Sequence, residues 1–319
     1  MQPIRLRDFL RVGDCYFSVL GYKNATKAKC FLRYCSSEVG DRIKEGRKFK
    51  KLSHEEAVKH PIAAKYYDGT IFRIPLEEVE EIYKPEKRLI EVMDPEIKKI
   101  VSFFVSIPFN QMGVTGSRLI GLSGNESDVD FIVYGRWWFL AREKLKKGIE
   151  EEVLQDLDES SWNFIYKKRK ISLPFEIFVS QERRKFHRAF IGNTYFDLLY
   201  VRSYEEIDVK IPEEPGIKLG KKVVTAKVLD DRFIFDYPAY YAIEHNEIKA
   251  ILSFTHTFAG QAFRGEKVIA RGEVEIIDGE KYLVVGTKRE VEDEFIISLD
   301  LIEKEGLKRE LKCFLDSQI

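Results

Sequence analysis

Hydrophobic and polar positions change period several times along the chain, and each change marks a new kind of element. Up to about residue 92, short runs rich in aromatic and β-branched residues, "CYFSVLGY" (15–22) and "AKCFLRYCS" (28–36), flank a polar turn at Asn24. Such runs read as paired strands. "GTIFRIPLEEVEEIYK" (69–84) reads as a strand running into a short helix, and the stretch from Arg42 to His60 is basic at first and then helical. Residues 1–92 are thus predicted to be an N-terminal β-rich domain.

At "EVMDPEIKKIVSFFVSIPF" the period lengthens, and Asp94 followed by Pro95 has the form of an N-cap with proline at the first helical position. Beyond it the pattern predicts a short strand over Met112–Thr115, a second over Asp128–Tyr134 and a long helix from Trp138 to Leu157. A further helical stretch, "SQERRKFHRAFI" (180–191), precedes a third strand, "YFDLLYV" (195–201). Strands alternating with helices over 93–211 predict a mixed sheet with helices. Val209–Lys222 carries prolines and glycines and reads as a linker. In residues 212–319, "KVIARGEVEIIDGEKYLVVGT" places Asp278-Gly279 between two apolar runs, a strong hairpin signal. A helix near Leu307–Leu315 closes what reads as a C-terminal β-rich domain. The fold class is therefore α+β: a mixed sheet with helices, flanked by two smaller β-rich domains.

Composition narrows the picture. Of 319 residues, 53 are Lys or Arg and 53 are Asp or Glu, so any attraction to a polyanion must be local. No apolar run approaches the ~20 residues that span a bilayer, and "MQPIRLRDF" has no apolar signal core. A soluble, cytoplasmic protein with no membrane partner is expected. Cys15, Cys30, Cys35 and Cys313 form no C-x-x-C pair. They read as thiols of a reduced compartment rather than as a zinc site, with Cys30 and Cys35 lacking a second pair or a nearby His. The Lys- and Glu-rich surface suits a heat-adapted source.

The chemistry concentrates in "GVTGSRLIGLSGNESDVDFIVYG", Gly113–Gly135. Strand side chains alternate faces, so Asp128 and Asp130 share one surface while Val129, Phe131 and Val133 face the core. Two carboxylates so close repel unless a cation lies between them, and paired hard oxygens suit Mg²⁺ shared with substrate phosphates. Gly116 permits close backbone approach to a ligand. Ser117 reads as the N-cap of the short helix "SRLIGL", its hydroxyl and N–H facing a phosphate. A third carboxylate would complete a two-metal site. Asp197, between apolar residues at the start of a strand, is the favoured candidate, with Glu176 of "LPFEIFVS" as the alternative.

The Gly-Ser pair, the "DVD" strand and a later apolar-Asp-apolar strand resemble the nucleotidyltransferases of the DNA polymerase β superfamily, over about residues 95–205. "GNTYFDLLYVRSYEEI" is similar to the third-carboxylate strand of archaeal CCA-adding enzymes, and the whole chain resembles an archaeal group of predicted nucleotidyltransferases. The resemblance implies that Gly116, Ser117 and Arg118 contact a nucleoside triphosphate, that Asp128 and Asp130 bind two Mg²⁺ ions, and that Asp197 binds the catalytic one. The expected activity is transfer of a nucleoside monophosphate to an acceptor hydroxyl, an RNA end first and a protein or small molecule second. The competing reading is a non-catalytic nucleotide- or RNA-binding protein of the same fold.

Two basic stretches, Lys167–Lys170 and Arg183–Arg188, give Asn163–Phe190 eight Lys or Arg against two Glu. They are the expected RNA contact, with a solvated helix face as the plain alternative. Tyr237, Tyr240 and Tyr241 read as core rather than as a base-stacking platform.

Overall fold

The computed structural model describes residues 2–124, 127–286 and 293–318. Two compact units are present, one of Met1–Asp156 and His187–Val209, the other of Leu157–Phe186 and Lys210–Ile319.

The first unit begins with strands β1 (Phe9–Val12), β2 (Cys15–Val19), β3 (Lys27–Ser36), β4 (Arg42–Lys44), β5 (Arg47–Lys51), β6 (Phe72–Pro75) and β7 (Glu81–Tyr83). They form one sheet in the order β4-β5-β3-β2-β1-β7, with β6 also on β3. One face, carrying Leu10, Phe17, Leu32 and Phe72, builds a core with the short helices α1 (His54–Lys59) and α2 (Ala63–Tyr66). The other face carries Phe9, Tyr16, Tyr34, Phe49 and Tyr83. The basic run after Arg42 is a hairpin, turned by Glu45 and Gly46 at positive φ. After β6 there is only a single 3₁₀ turn, Leu76–Glu78, where the pattern predicts a helix, and the chain then returns as β7.

Cys15 and Cys35 face each other across β2 and β3 and are joined in a disulfide. This corrects the expectation of separate thiols, because two cysteines 20 positions apart are brought together by one antiparallel pairing. Cys30 is buried and free, and pairs with no other cysteine for a metal.

After α3 (Pro85–Arg88) comes α4 (Pro95–Phe103), capped as predicted: the Asp94 carboxylate accepts from the N–H groups of Glu96 and Ile97 at 2.9 and 2.8 Å. Strand β8 (Met112–Val114), helix α5 (Gly116–Leu119), strand β9 (Val129–Tyr134) and helix α6 (Arg136–Glu150) follow. Strands β10 (Arg188–Ile191) and β11 (Thr194–Val201) complete a second sheet, in the order β10-β11-β9-β8 with β9 and β11 parallel. Its apolar face lies under α4, where Phe104 stacks on Phe131 at 5.6 Å and meets Phe196 edge-on at 6.1 Å. On the other face of β9 and β11, Asp130 and Asp197 stand at one end and Ile132, Tyr134 and Val201 are buried beyond them. The two sheets belong to one unit partly through Arg5, whose guanidinium lies between the rings of Tyr134 and Tyr204, 3.8 Å from each, and pairs with Glu86 at 3.2 Å.

In the second unit, α7 (Glu159–Arg169) and α8 (Phe175–Arg183) pack with the C-terminal strands, since Leu173 and Ile177 lie in their core. "SQERRKFHRAFI" is therefore helical only to Arg183; Phe186 takes a positive φ and a strand starts at Arg188. Strands β12 (Ile217–Asp230), β13 (Ala239–Glu244), β14 (Ala250–Ser253), β15 (Lys267–Ile277), β16 (Glu280–Val285) and β17 (Phe295–Ser298) follow, with helices α9 (Leu299–Lys304) and α10 (Lys308–Asp316). The expected linker runs into β12 from Ile217, and the pairing of β12 with both β13 and β15 closes a ring, β12-β13-β14-β16-β15. Asp278 and Gly279 turn the predicted hairpin, both at positive φ. Tyr241 is core, its hydroxyl donating to the Phe258 carbonyl.

Candidate active site

Parallel pairing of β9 with β11 places Asp197 directly beside Asp130, so both side chains leave the same face of the sheet. Asp128 stands just ahead of β9, two residues from Asp130 and exposed. The three carboxylates form one acidic group: burial raises the Asp130 pKa to about 6, and the charges of Asp128 and Asp197 push it the same way. Burial and the two neighbouring carboxylates outweigh the opposing pull of Arg7 and Arg33 on Asp130, so its ionised form is disfavoured without a cation. Three hard oxygen donors of this kind fit a divalent cation such as Mg²⁺.

The Gly-Ser turn is built against the same strand. The Thr115 N–H donates to the Asp130 carbonyl at 3.0 Å, and the chain then enters α5 with Gly116 at φ +72°. A β-carbon on Gly116 would lie 2.4 Å from Asp130 Oδ2. Only glycine lets the turn and the carboxylate meet so closely. Ser117 is not the N-cap the sequence suggests; Thr115 occupies that position, and the Ser117 side chain hydrogen-bonds instead to Tyr34.

Arg118 has its own set of partners. Its guanidinium pairs with Asp94 and Glu96 and donates to the carbonyls of Ser127, at 2.8 Å, and Asp128, at 3.4 Å. It ties the start of β9 to the N-terminus of α4.

Asp197 is held from its own edge of the sheet. Its carboxylate accepts from the Tyr195 hydroxyl at 3.0 Å and pairs with Arg188, its cross-strand partner on β10, at 3.4 Å. Glu176 belongs to the second unit, in the first turn of α8, where its charge acts on Tyr166. The structure thus assembles Gly116, Ser117, Asp128, Asp130 and Asp197 in one unit.

The expected basic groove is dispersed by pairing. Lys185 is buried against Glu182, Arg184 pairs with Glu266 at 2.7 Å, and Arg188 is buried beside Asp197. Arg183–Arg188 is therefore no exposed stripe. Lys167, Lys168 and Lys170 do face solvent at the end of α7, where cations suit the helix dipole.

Arg188 as the partner of Asp197 is not legible in the sequence: the signal is strand parity, which the helical pattern of "SQERRKFHRAFI" hides. Nor is Tyr34, which reaches Ser117 from the N-terminal sheet. No helix among the described residues is long and apolar enough to cross a membrane.

Comparison with known proteins agrees with this geometry. Residues 95–187 match the nucleotidyltransferase domain family, a span that includes the Gly-Ser turn and both aspartates of "DVD" but ends before Asp197. The uncharacterized protein MJ1086 of Methanocaldococcus jannaschii is 38% identical, over 92% of this chain and 98% of the relative. No solved structure matches the chain. With the Gly-Ser turn set against the paired aspartates and an archaeal relative matching nearly end to end, the chain belongs to the nucleotidyltransferases of the DNA polymerase β superfamily, in one family with that archaeal protein.

Proposed function

We propose that the protein transfers a nucleoside monophosphate from a nucleoside triphosphate to an acceptor hydroxyl. The observation that carries this reading is the meeting of Gly116 with Asp130, in register with Asp197. Asp128, Asp130 and Asp197 would hold two Mg²⁺ ions, which when bound neutralise the phosphates and lower the cost of charge at the attacking and leaving oxygens. Gly116 keeps the turn flush with the carboxylates so that a phosphate can approach backbone. Tyr34 fixes the Ser117 hydroxyl for the same ligand. Arg118 holds the backbone of Asp128, and Arg188 with Tyr195 aims Asp197. The acceptor oxygen bonds to the α-phosphorus as the bond to the bridging oxygen of the β-phosphate breaks, pyrophosphate leaves with that electron pair, and the hydroxyl proton passes to Asp197. Positioning and charge supply the rate.

An RNA end is the favoured acceptor. The support is the closed ring β12-β13-β14-β16-β15 of the second unit, with β14 and β16 parallel. By analogy of fold this arrangement resembles the small barrels that bind oligonucleotides.

The test is transfer of label from each of four α-labelled nucleoside triphosphates, with Mg²⁺, to total RNA and to soluble protein, comparing wild type with Asp130→Ala. Label entering RNA with the wild type alone supports the proposal. Label in protein alone would move the acceptor to a side chain. Binding of triphosphate without transfer to either would favour a non-catalytic nucleotide-binding protein.

A further inference from the structure

The N-terminal sheet carries a group of donor atoms apart from the carboxylate site. Strand β3 is thrown out of step with β2 by one residue: Tyr16 is opposite Tyr34, yet Phe17 is opposite Leu32, so Arg33 is extra. Along β3, Ala28, Cys30 and Leu32 belong to the core beneath α1 and α2, and the next residue to do so is Cys35, while Tyr34 takes the other face. A bulge of this kind changes which face the following residues present. It sets Cys35 on the same side as Cys15, its cross-strand partner.

The helical cover supplies a third donor. His60 ends α1 in an extended conformation, and its carbonyl accepts from the Ala63 N–H at 2.8 Å where α2 begins. That turn holds its ring beside the two sulfurs: one donor atom from each of Cys15, Cys35 and His60 lies within 4.8 Å of the other two. Around a tetrahedral Zn²⁺, two thiolate sulfurs at about 2.3 Å and an imidazole nitrogen at about 2.0–2.1 Å stand roughly 3.5–3.8 Å from one another. Opening the S–S bond lets the sulfurs spread to that spacing, with His60 already in range.

The ring also has the right protonation state. Burial lowers the His60 pKa and so favours neutral imidazole, the form that binds metal. Its Nδ1 accepts from the Ile62 N–H at 3.3 Å, a long bond that ligation would replace. Thiolates and imidazole together are a donor set that suits Zn²⁺ rather than Mg²⁺.

We propose that Cys15, Cys35 and His60 form a redox-gated zinc site: oxidised, the cysteines are the disulfide; reduced, the three residues bind one Zn²⁺ with water as the fourth ligand. A dithiol passes two electrons to the S–S bond and leaves as its own disulfide, and its two protons go to the separated sulfurs. Zn²⁺ displaces both protons when it binds. The metal ties β2 and β3 to the turn between α1 and α2, where the disulfide ties the strands alone. This site goes beyond nucleotidyl transfer and stands or falls independently of it.

The test is titration of Co²⁺, a coloured stand-in for Zn²⁺, into the full chain, oxidised or reduced with a phosphine, as wild type, His60→Ala and Cys35→Ser. Reduced wild type should show thiolate-to-cobalt charge-transfer absorption that one equivalent of Zn²⁺ removes, a band that metal on Asp128, Asp130 and Asp197 does not give. Oxidised wild type should lack it, and so should Cys35→Ser. His60→Ala keeps both sulfurs and should bind more than about a hundredfold more weakly, since loss of an outer-shell partner alone costs about 10–100-fold. Zn²⁺ should raise the melting temperature of reduced wild type further than that of the oxidised chain, in which only the carboxylate site responds. Absence of the band in reduced wild type would overturn the inference without recourse to any variant. The same band in the oxidised chain, where only Cys30 and Cys313 are free, or undiminished affinity in folded His60→Ala, would overturn it as well.

Discussion

Replacing Asp130 by Asn should stabilise the metal-free protein while removing its activity. In the fold, the Asp130 pKa rises from 3.8 to about 6, first through burial and then through Asp128 and Asp197, against the opposing pull of Arg7 and Arg33. Ionising that carboxyl in the native state at neutral pH therefore costs at most about 3 kcal/mol relative to the unfolded chain, and less by whatever solvent screens at a half-buried site. The sign follows from the raised pKa: wild type has its full stability from this group below about pH 4 and loses it as the pH rises through about 6. The amide of the Asp130→Asn variant carries no charge and escapes the loss. Chemical denaturation in a chelator, from pH 4.5 to 8, should show Asp130→Asn level with wild type at the acid end and more stable, by about 1–3 kcal/mol, above pH 7. Added Mg²⁺ should raise the stability of wild type and leave the variant unmoved, by the usual linkage of binding to folding. A variant less stable than wild type at pH 7.5, or an advantage that does not shrink on acidification, would refute the account of Asp130 as an uncompensated acid.

Gly116→Ala should lower transfer by at least about a hundredfold and cost roughly 1–3 kcal/mol of stability, since it combines positive φ with a β-carbon placed against Asp130; unchanged kcat would contradict the close approach. Asp197→Asn should abolish turnover while Glu176→Gln retains it, and the reverse pattern in steady-state assays would transfer the third-carboxylate role to α8. Arg118→Ala should reduce kcat about tenfold or more by loosening the backbone of Asp128, with triphosphate affinity far less affected; an equal loss in affinity would restore the nucleotide contact first expected of it. Reducing the disulfide should lower unfolding stability by about 3 kcal/mol for a closed loop of 20 residues, measured as a denaturation midpoint with and without a dithiol.

Much of the candidate active site was legible along the chain because its signals are local. A glycine that must take positive φ, a serine next to it, and two aspartates at strand spacing inside an apolar run are set by periodicity and backbone sterics, which act over a few residues. The Asp94–Pro95 helix start and the Asp278–Gly279 hairpin are legible for the same reason.

Tertiary structure decided what depends on long-range pairing. Whether Asp197 or Glu176 joined Asp130 rested on which strand paired with β9, and no local pattern encodes a parallel register across 67 residues. Arg188 became the partner of Asp197 only because β10 is a strand, and Arg118 pairs with Asp94 and Glu96 only because α4 brings them within its reach. Sequence by itself therefore determined the chemistry of this site, through residue type and short spacing, whereas the partners that aim and neutralise those residues were decided by contacts between distant segments, whose cost and gain are settled only in the packed chain.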